Sequence, residues 1–182
     1  MDLADFPVLG TEPISVEFAN TLYGTGPDRI DFLATPESIS QWLSLIPGQG
    51  PGLAGATVQV RALRDAVRDV LLAAIDQATP SPAALDTINA VAAAAPTYLR
   101  LDWADHTPVA SRLDSSTFGR IANCCIGLVS GPRVHDLRRC ASPDCTLLFV
   151  RAHQRRRYCH PSCAHRDRQA RYYRRHTIGA TS

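Results

Sequence analysis

Two close pairs of cysteines near the C-terminus constrain this chain more than any other feature of its sequence. Cys140 and Cys145 form the first pair, and Cys159 and Cys163 form the second. Thiolate pairs separated by a few residues can each wrap one side of a metal ion, and two such pairs complete the tetrahedral shell of a structural zinc site. We therefore predict that these four cysteines bind one structural Zn²⁺ ion.

Disulfides, redox centres and inert thiols are the alternatives to a metal site. Residues 1–7 show no secretory signal, and no apolar run reaches the roughly twenty residues of a membrane span. We therefore expect a cytoplasmic protein with no membrane partner. In a reducing cytosol, paired cysteines are more often metal ligands than disulfides. The adjacent Cys124 and Cys125 lie in an apolar stretch and are expected to be core residues of a helix.

No catalytic motif stands out in the sequence. A Gly-rich phosphate loop, a nucleophile elbow and a His-Glu-x-x-His motif are all absent. Four cysteine ligands would also close the zinc shell and leave no position for a catalytic water. His153, His160 or His165 could replace one cysteine, but we favour them as hydrogen-bonding or anion-contacting neighbours. We expect a protein that is not an enzyme.

Charge is distributed unevenly along the chain. Residues 133–176 contain twelve arginines and three aspartates, whereas residues 1–132 contain seven arginines and fourteen acidic residues. The formal net charge of +2 therefore hides a strongly basic C-terminal part. Such an asymmetry is expected where one part of a protein meets a polyanion.

The length of 182 residues fits one ordinary domain and one small module. We place the boundary at Ser130-Gly131-Pro132, which gives domains 1–132 and 133–182. A module of about 45 residues is too small to fold without a staple, and zinc would provide it.

The N-terminal domain is predicted to be α+β, mostly helical with short β-hairpins. Segments 6–9 and 14–18, joined through Gly10 and Pro13, form one predicted hairpin. A second hairpin pairs segments 98–103 and 109–113 across a turn at 105–108. Apolar periodicity and capping residues predict helices from Thr35-Pro36 to Gly48, and over 58–78, 83–94 and 116–129.

The C-terminal module is predicted to be a small treble-clef-like zinc finger. Segment 134–138 is expected to be a short strand, and 147–150 one arm of a hairpin with its turn near 152–154. A helix over 164–176 would carry the last cysteine in its first turn.

Arginines on and beside this helix are the candidate polyanion contacts. Arg168, Arg171 and Arg175 share one helix face. Basic residues at a helix C-terminus also complement the dipole, but that does not explain the arginines outside the helix. Guanidinium groups can fork onto phosphates or guanine. The candidate DNA-binding residues are Arg155, Arg156, Arg157, Arg166, Arg168, Arg171, Tyr172, Arg174 and Arg175, with Arg166 the candidate for base reading.

Segment 139–176 resembles the CGNR-type zinc finger. The run Arg156-Arg157-Tyr158-Cys159 and the run Cys163-Ala164-His165-Arg166 hold its motif positions. The name-giving Gly-Asn pair is Ala164-His165 here, whereas the cysteines and the final arginine remain.

The N-terminal region resembles the ABATE domain that accompanies such fingers. Segments 14–21 and 63–67 and Trp42 carry the resemblance, with Glu17 where the family often has aspartate. The resemblance implies a stress-induced transcription regulator whose N-terminal domain binds an unknown ligand. Glu17, Asn20, Trp42 and Arg64 are the candidate ligand-binding residues. The alternative is that Asn20 caps a turn, Arg64 pairs with Glu17 and Trp42 belongs to the core.

We therefore expect a transcription regulator that binds DNA through a zinc-stabilised basic helix, controlled by a small-molecule or protein effector at the N-terminal domain. An RNA-binding or protein-interaction finger is the first alternative, and an N-terminal enzyme is the second. A homodimer is left open.

Overall fold

The computed structural model describes residues 10–46, 57–95, 97–114 and 116–178, without the side chains at 112–114, 175, 177 and 178. The helices within these ranges are α1 (Ile14–Ala19), α2 (Pro36–Ser44), α3 (Thr57–Asp76), α4 (Pro82–Ala94), α5 (Thr117–Ser130) and α6 (Pro161–Ile178). The strands form antiparallel pairs: β1 (Leu22–Tyr23) with β2 (Ile30–Asp31), β3 (Thr97–Ala104) with β4 (Thr107–Asp114), and β5 (Leu137–Arg139) with β6 (Leu148–Val150). The predicted α+β class, mostly helical with short hairpins, is confirmed.

Helices α1, α3, α4 and α5 pack together around the core. The periodic residues Val60, Leu63 and Val67 on α3 are buried, as their spacing predicts. Side-chain caps begin the other predicted helices. Thr35 accepts a hydrogen bond from the backbone of Ser38 at the start of α2, which ends before the predicted stop at Gly48. Among the described residues, no helix is long and apolar enough to cross a membrane.

The segment 14–18 is helical, so the predicted strand there is wrong. Residues Ser15 to Ala19 are all buried, which removes the solvent-facing side that the alternating pattern had suggested. The carbonyl of Pro13 accepts hydrogen bonds from the backbone of Val16 and Glu17 and begins the helix. Its predicted partner, segment 6–9, lies outside the described residues.

The hairpin of β3 and β4 is confirmed, with a tighter turn than predicted. Asp105 and His106 alone connect the strands, with φ angles of +46° and +61°. Two central residues with positive φ are typical of a type I′ hairpin turn, whose twist matches that of the strands. Leu99, Leu101 and Trp103 alternate onto one face, where they are 76%, 67% and 68% exposed.

The strand predicted over 134–138 begins later, and its hairpin has a different partner from the one predicted. A 3₁₀ turn, Pro132–Asp136, precedes β5. Strand β6 pairs with the preceding strand β5, so the hairpin turn is segment 140–147 and not segment 152–154. Segment 140–147 carries Cys140 and Cys145 and is called the knuckle below. A hydrogen bond of 2.9 Å from Cys140 N to Leu147 O closes this turn.

The knuckle hairpin is built into the N-terminal core. Leu137, Leu148 and Val150 belong to the same buried cluster as the residues of α1, α3 and α5. Asn20, at the end of α1, donates from Nδ2 to Leu148 O at 2.9 Å, and Leu148 N donates to Asn20 Oδ1 at 2.8 Å. The buried side chain of Asn20 therefore makes the two hydrogen bonds to Leu148 that a neighbouring strand would otherwise make.

Two further contacts join the same regions. Arg68 on α3 donates to Ala19 O at 3.3 Å and to Thr146 O at 3.2 Å. Glu12 accepts from Val150 N at 2.8 Å and from Arg156 at 2.7 Å. Helix α3, the end of α1 and the zinc finger are thus hydrogen-bonded to one another.

We predict that Asn20→Ala lowers the free energy of unfolding by about 3 kcal/mol, because it leaves the buried N–H and C=O of Leu148 without partners. Urea unfolding followed by circular dichroism measures the change. Asn89→Ala, at an exposed position of α4, is the matched control and should change stability by less than about 0.5 kcal/mol. Equal stabilities of the two variants would contradict this role of Asn20.

Candidate metal centre and basic surface

Four cysteines converge as predicted. The Sγ atoms of Cys140, Cys145, Cys159 and Cys163 all lie within 4.8 Å of one another, and all four residues are buried. Cys145 Sγ lies 3.7 Å from Cys159 Sγ, which in turn lies 3.6 Å from Cys163 Sγ. The first pair comes from the knuckle between β5 and β6, whereas Cys163 sits in the first turn of α6. A single tetrahedral ion would therefore join the hairpin to the helix.

The thiols influence one another strongly at these distances. Hydrogen bonds from Cys145 and Cys159 lower the pKa of Cys140 to about 2. The bond to Cys140 raises the pKa of Cys145 to about 12 and also raises that of Cys159. Ionisation of one sulfur thus disfavours ionisation of its neighbours, and a divalent cation removes this conflict by binding all four as thiolates. The donor set, all cysteine, fits one structural Zn²⁺ ion.

The neighbouring histidines do not join this group of sulfurs. His160 Nδ1 lies 2.8 Å from Ser162 Oγ and accepts from Ser162 N at 3.2 Å, so its ring caps the start of α6. His153 and His165 are exposed. Among the described residues, the metal-binding cluster consists of cysteines alone.

Arg166 lies against the metal centre. Its Nη2 donates to Cys163 Sγ at 3.1 Å. The hydrogen bond to Cys163, followed by one to Tyr23, raises the pKa of Arg166. A cation beside a ligating sulfur stabilises the thiolate and orients it. Base reading by Arg166 stays a prediction, and this contact gives the residue a role in positioning the finger.

Arg156 is engaged inside the protein. Its guanidinium pairs with Glu12 and donates to the carbonyls of Val150, Tyr158 and Cys159. It also stacks 4.6 Å from the centre of the Phe149 ring. These contacts fix the loop before Cys159 and leave the side chain only 22% exposed. Nothing in the sequence distinguishes this arginine from its neighbours.

The other described arginine side chains predicted to contact DNA lie on the surface. Arg171 pairs with Asp167 at 3.2 Å, and that carboxylate also accepts from Tyr158 at 2.7 Å. The side chain of Arg175 lies outside the described residues. The exposed members of the predicted set are Arg155, Arg157, Arg166, Arg168, Arg171, Tyr172 and Arg174.

The four residues predicted to bind a ligand have separate partners. Glu17, whose pKa is raised by burial, accepts from the backbone of Thr11 and Glu12 at 2.9 and 3.1 Å. Trp42 is core, with its ring centre 5.2 Å from that of Phe18.

Arg64 is 1% exposed and pairs with Asp31 and Asp65, so the alternative pairing with Glu17 is wrong. Asn20 is the C-terminal cap residue of α1 through its backbone N–H, and its side chain bonds to Leu148 in β6. Ligand binding by these four residues stays a prediction.

Fold and site together define a helical domain joined to a structural zinc finger. The family described as "ABATE: Putative stress-induced transcription regulator" matches residues 12–132, and the CGNR zinc finger matches residues 137–176. The chain therefore belongs to the ABATE family and carries a CGNR zinc finger. No curated protein matches its sequence.

We predict that Cys159→Ser loses the single zinc equivalent that the native chain carries. Because β5 and β6 share the N-terminal core, loss of the metal should lower the melting temperature of the whole chain. Metal analysis and calorimetry give the two readouts. Cys124→Ser, outside the cluster, should keep the zinc. Full zinc occupancy in Cys159→Ser would contradict the assignment.

Arg166→Ala should weaken zinc binding by about tenfold to a hundredfold, because the thiolate of Cys163 loses its charged donor. Competition with a chromophoric chelator measures this affinity. Arg168→Ala removes the same charge two residues further along α6, where the side chain is exposed, and should leave zinc affinity unchanged.

Proposed function

We propose that the chain is a transcription regulator whose zinc finger binds duplex DNA through α6 and the loop before it. Exposed arginines that lack an acidic partner carry this proposal. Within the described part of the chain, Arg155, Arg157, Arg168 and Arg174 form no ion pair. Their charge is therefore available to phosphates, whose neutralisation supplies most non-specific affinity for DNA.

The metal gives this surface its rigidity. Zinc bound to Cys159 and Cys163 would fix the direction of α6 relative to β5 and β6, so the arginines on the helix project from a defined base. A side chain held in its bound geometry loses less entropy on binding. Four cysteines leave no open position on the ion, which supports a structural and non-enzymatic role.

Control by an effector is the second element of the proposal. Helix α3 and the end of α1 contact the knuckle through Arg68 and Asn20. A ligand or protein that shifts either helix would displace the backbone at Thr146 and Leu148, which follow Cys145 of the first cysteine pair. These contacts offer a direct route from the N-terminal domain to the finger.

Single-stranded RNA is the second candidate partner. Tyr172 and Tyr173 on α6 are 60% and 66% exposed and lie beside the arginines. Exposed aromatic rings among basic residues are typical of surfaces on which unpaired bases stack. A preference for single strands over duplex DNA would favour this alternative.

We predict that affinity for duplex DNA falls steeply with salt. Arg168→Ala and Arg174→Ala should each reduce the slope of log K against log[salt] by about one, if each arginine contacts one phosphate. Fluorescence anisotropy with a labelled duplex measures the slope. Arg100→Ala, which removes an exposed arginine from β3, is the control and should leave it unchanged. Affinity that is independent of salt would contradict the proposal.

A further inference from the structure

A small cavity on the zinc finger is lined by five arginines. It has a volume of about 220 Å³ and lies between β5, β6 and the loop that leads to α6. No acidic residue is among its described lining residues. The arginines are Arg138, Arg139, Arg151, Arg156 and Arg157.

Three of these arginines have acidic partners outside the cavity. Arg139 pairs with Asp76, Arg151 with Asp136 and Arg156 with Glu12. The other two, Arg138 and Arg157, have no ion pair within the described residues. Arg138 donates only to the carbonyl of Leu137, at 2.6 Å. The cavity therefore holds two positive charges that no described carboxylate neutralises.

Arg151 supplies an independent observation. Its Nε is buried and has no hydrogen-bond partner within the described part of the chain, although its Nη2 is bonded to Asp136 at 3.1 Å. Buried donors are rarely left without an acceptor, because the lost hydrogen bond to water is not replaced. This unsatisfied donor belongs to a residue that lines the basic cavity, and it leaves the Arg151 guanidinium with fewer acceptors than its neighbour Arg156 has.

The cavity is also held in shape by its surroundings. Ala141 N donates to Arg157 O at 3.0 Å and ties the loop to the knuckle. Arg156 lies across the Phe149 ring and forms a fixed wall. Arg138 lies two residues before Cys140, and Arg157 lies two residues before Cys159, so the metal centre fixes both of their backbones.

We infer that this cavity binds one phosphate group through Arg138 and Arg157, with Arg151 beside them. One guanidinium group can donate two parallel hydrogen bonds to two oxygens of a phosphate. Because a phosphate is tetrahedral, it can accept hydrogen bonds from several arginines at once. The phosphate that occupies the cavity is a backbone phosphate of duplex DNA. This part of the inference rests on the proposed function. The finger then contacts DNA through its strands as well as through α6.

Inorganic phosphate tests the cavity without DNA. The zinc-loaded full chain is titrated with phosphate at constant ionic strength, and the arginine Nε–H signals are followed by NMR. The signals of Arg138 and Arg157 should shift on binding. The double variant Arg138→Gln/Arg157→Gln should bind phosphate at least tenfold more weakly, whereas Arg100→Gln, at an exposed position of β3, should bind as the native chain does. Equal affinity of the native chain and the double variant, with zinc content unchanged, would overturn the inference.

Duplex DNA tests the source of the phosphate. Arg138→Gln and Arg157→Gln should each lower the salt slope by about one. A slope equal to that of the native chain, in variants that have lost phosphate binding, would overturn the DNA part and identify the occupant as a free phosphate-bearing molecule. If the native chain does not bind duplex DNA at all, the proposed function fails, and the phosphate titration alone still decides whether the cavity is a site.

Discussion

The convergence of four cysteine sulfurs is the constraint on which the C-terminal structure depends. The atoms lie within 4.8 Å of one another, and the sulfur of Cys140 raises the pKa of both Cys145 and Cys159. Only a cation lets all of them carry charge together. That cation connects the knuckle, the loop before Cys159 and the first turn of α6. The arginines that the proposals use lie on this loop, on α6, and on or next to the strands β5 and β6.

The arginines of the finger divide into two groups that charge alone cannot separate. Arg156 and Arg166 have partners within the chain, the half-buried Arg156 on Glu12 and the loop carbonyls and the exposed Arg166 on the sulfur of Cys163. Arg138, Arg157 and Arg168 have no acidic partner in the described structure. Arg156 and Arg166 hold the backbone and the metal centre in place. The arginines without an acidic partner are available to bind a polyanion.

Sequence patterns predicted the elements whose signals are local. The α3 periodicity and the cysteine spacing each depend on a few neighbouring residues, and both predictions are confirmed. Segment 14–18 was assigned the wrong structure because five residues show too few turns to separate a strand from a helix that is buried on all sides. The hairpin partner of β6 and the internal roles of Arg156 and Asn20 depend on contacts between distant residues, which no local pattern contains.

The packing of the knuckle hairpin limits how far this finger can be treated as a portable unit. Its apolar residues Leu137, Leu148 and Val150 complete the core of the helical domain, and the free edge of β6 is covered by Asn20. An excised finger, even with zinc bound, would expose these three side chains and the backbone of Leu148 to water. Grafting it onto another protein would require a host that supplies an apolar surface and an amide at the position of Asn20.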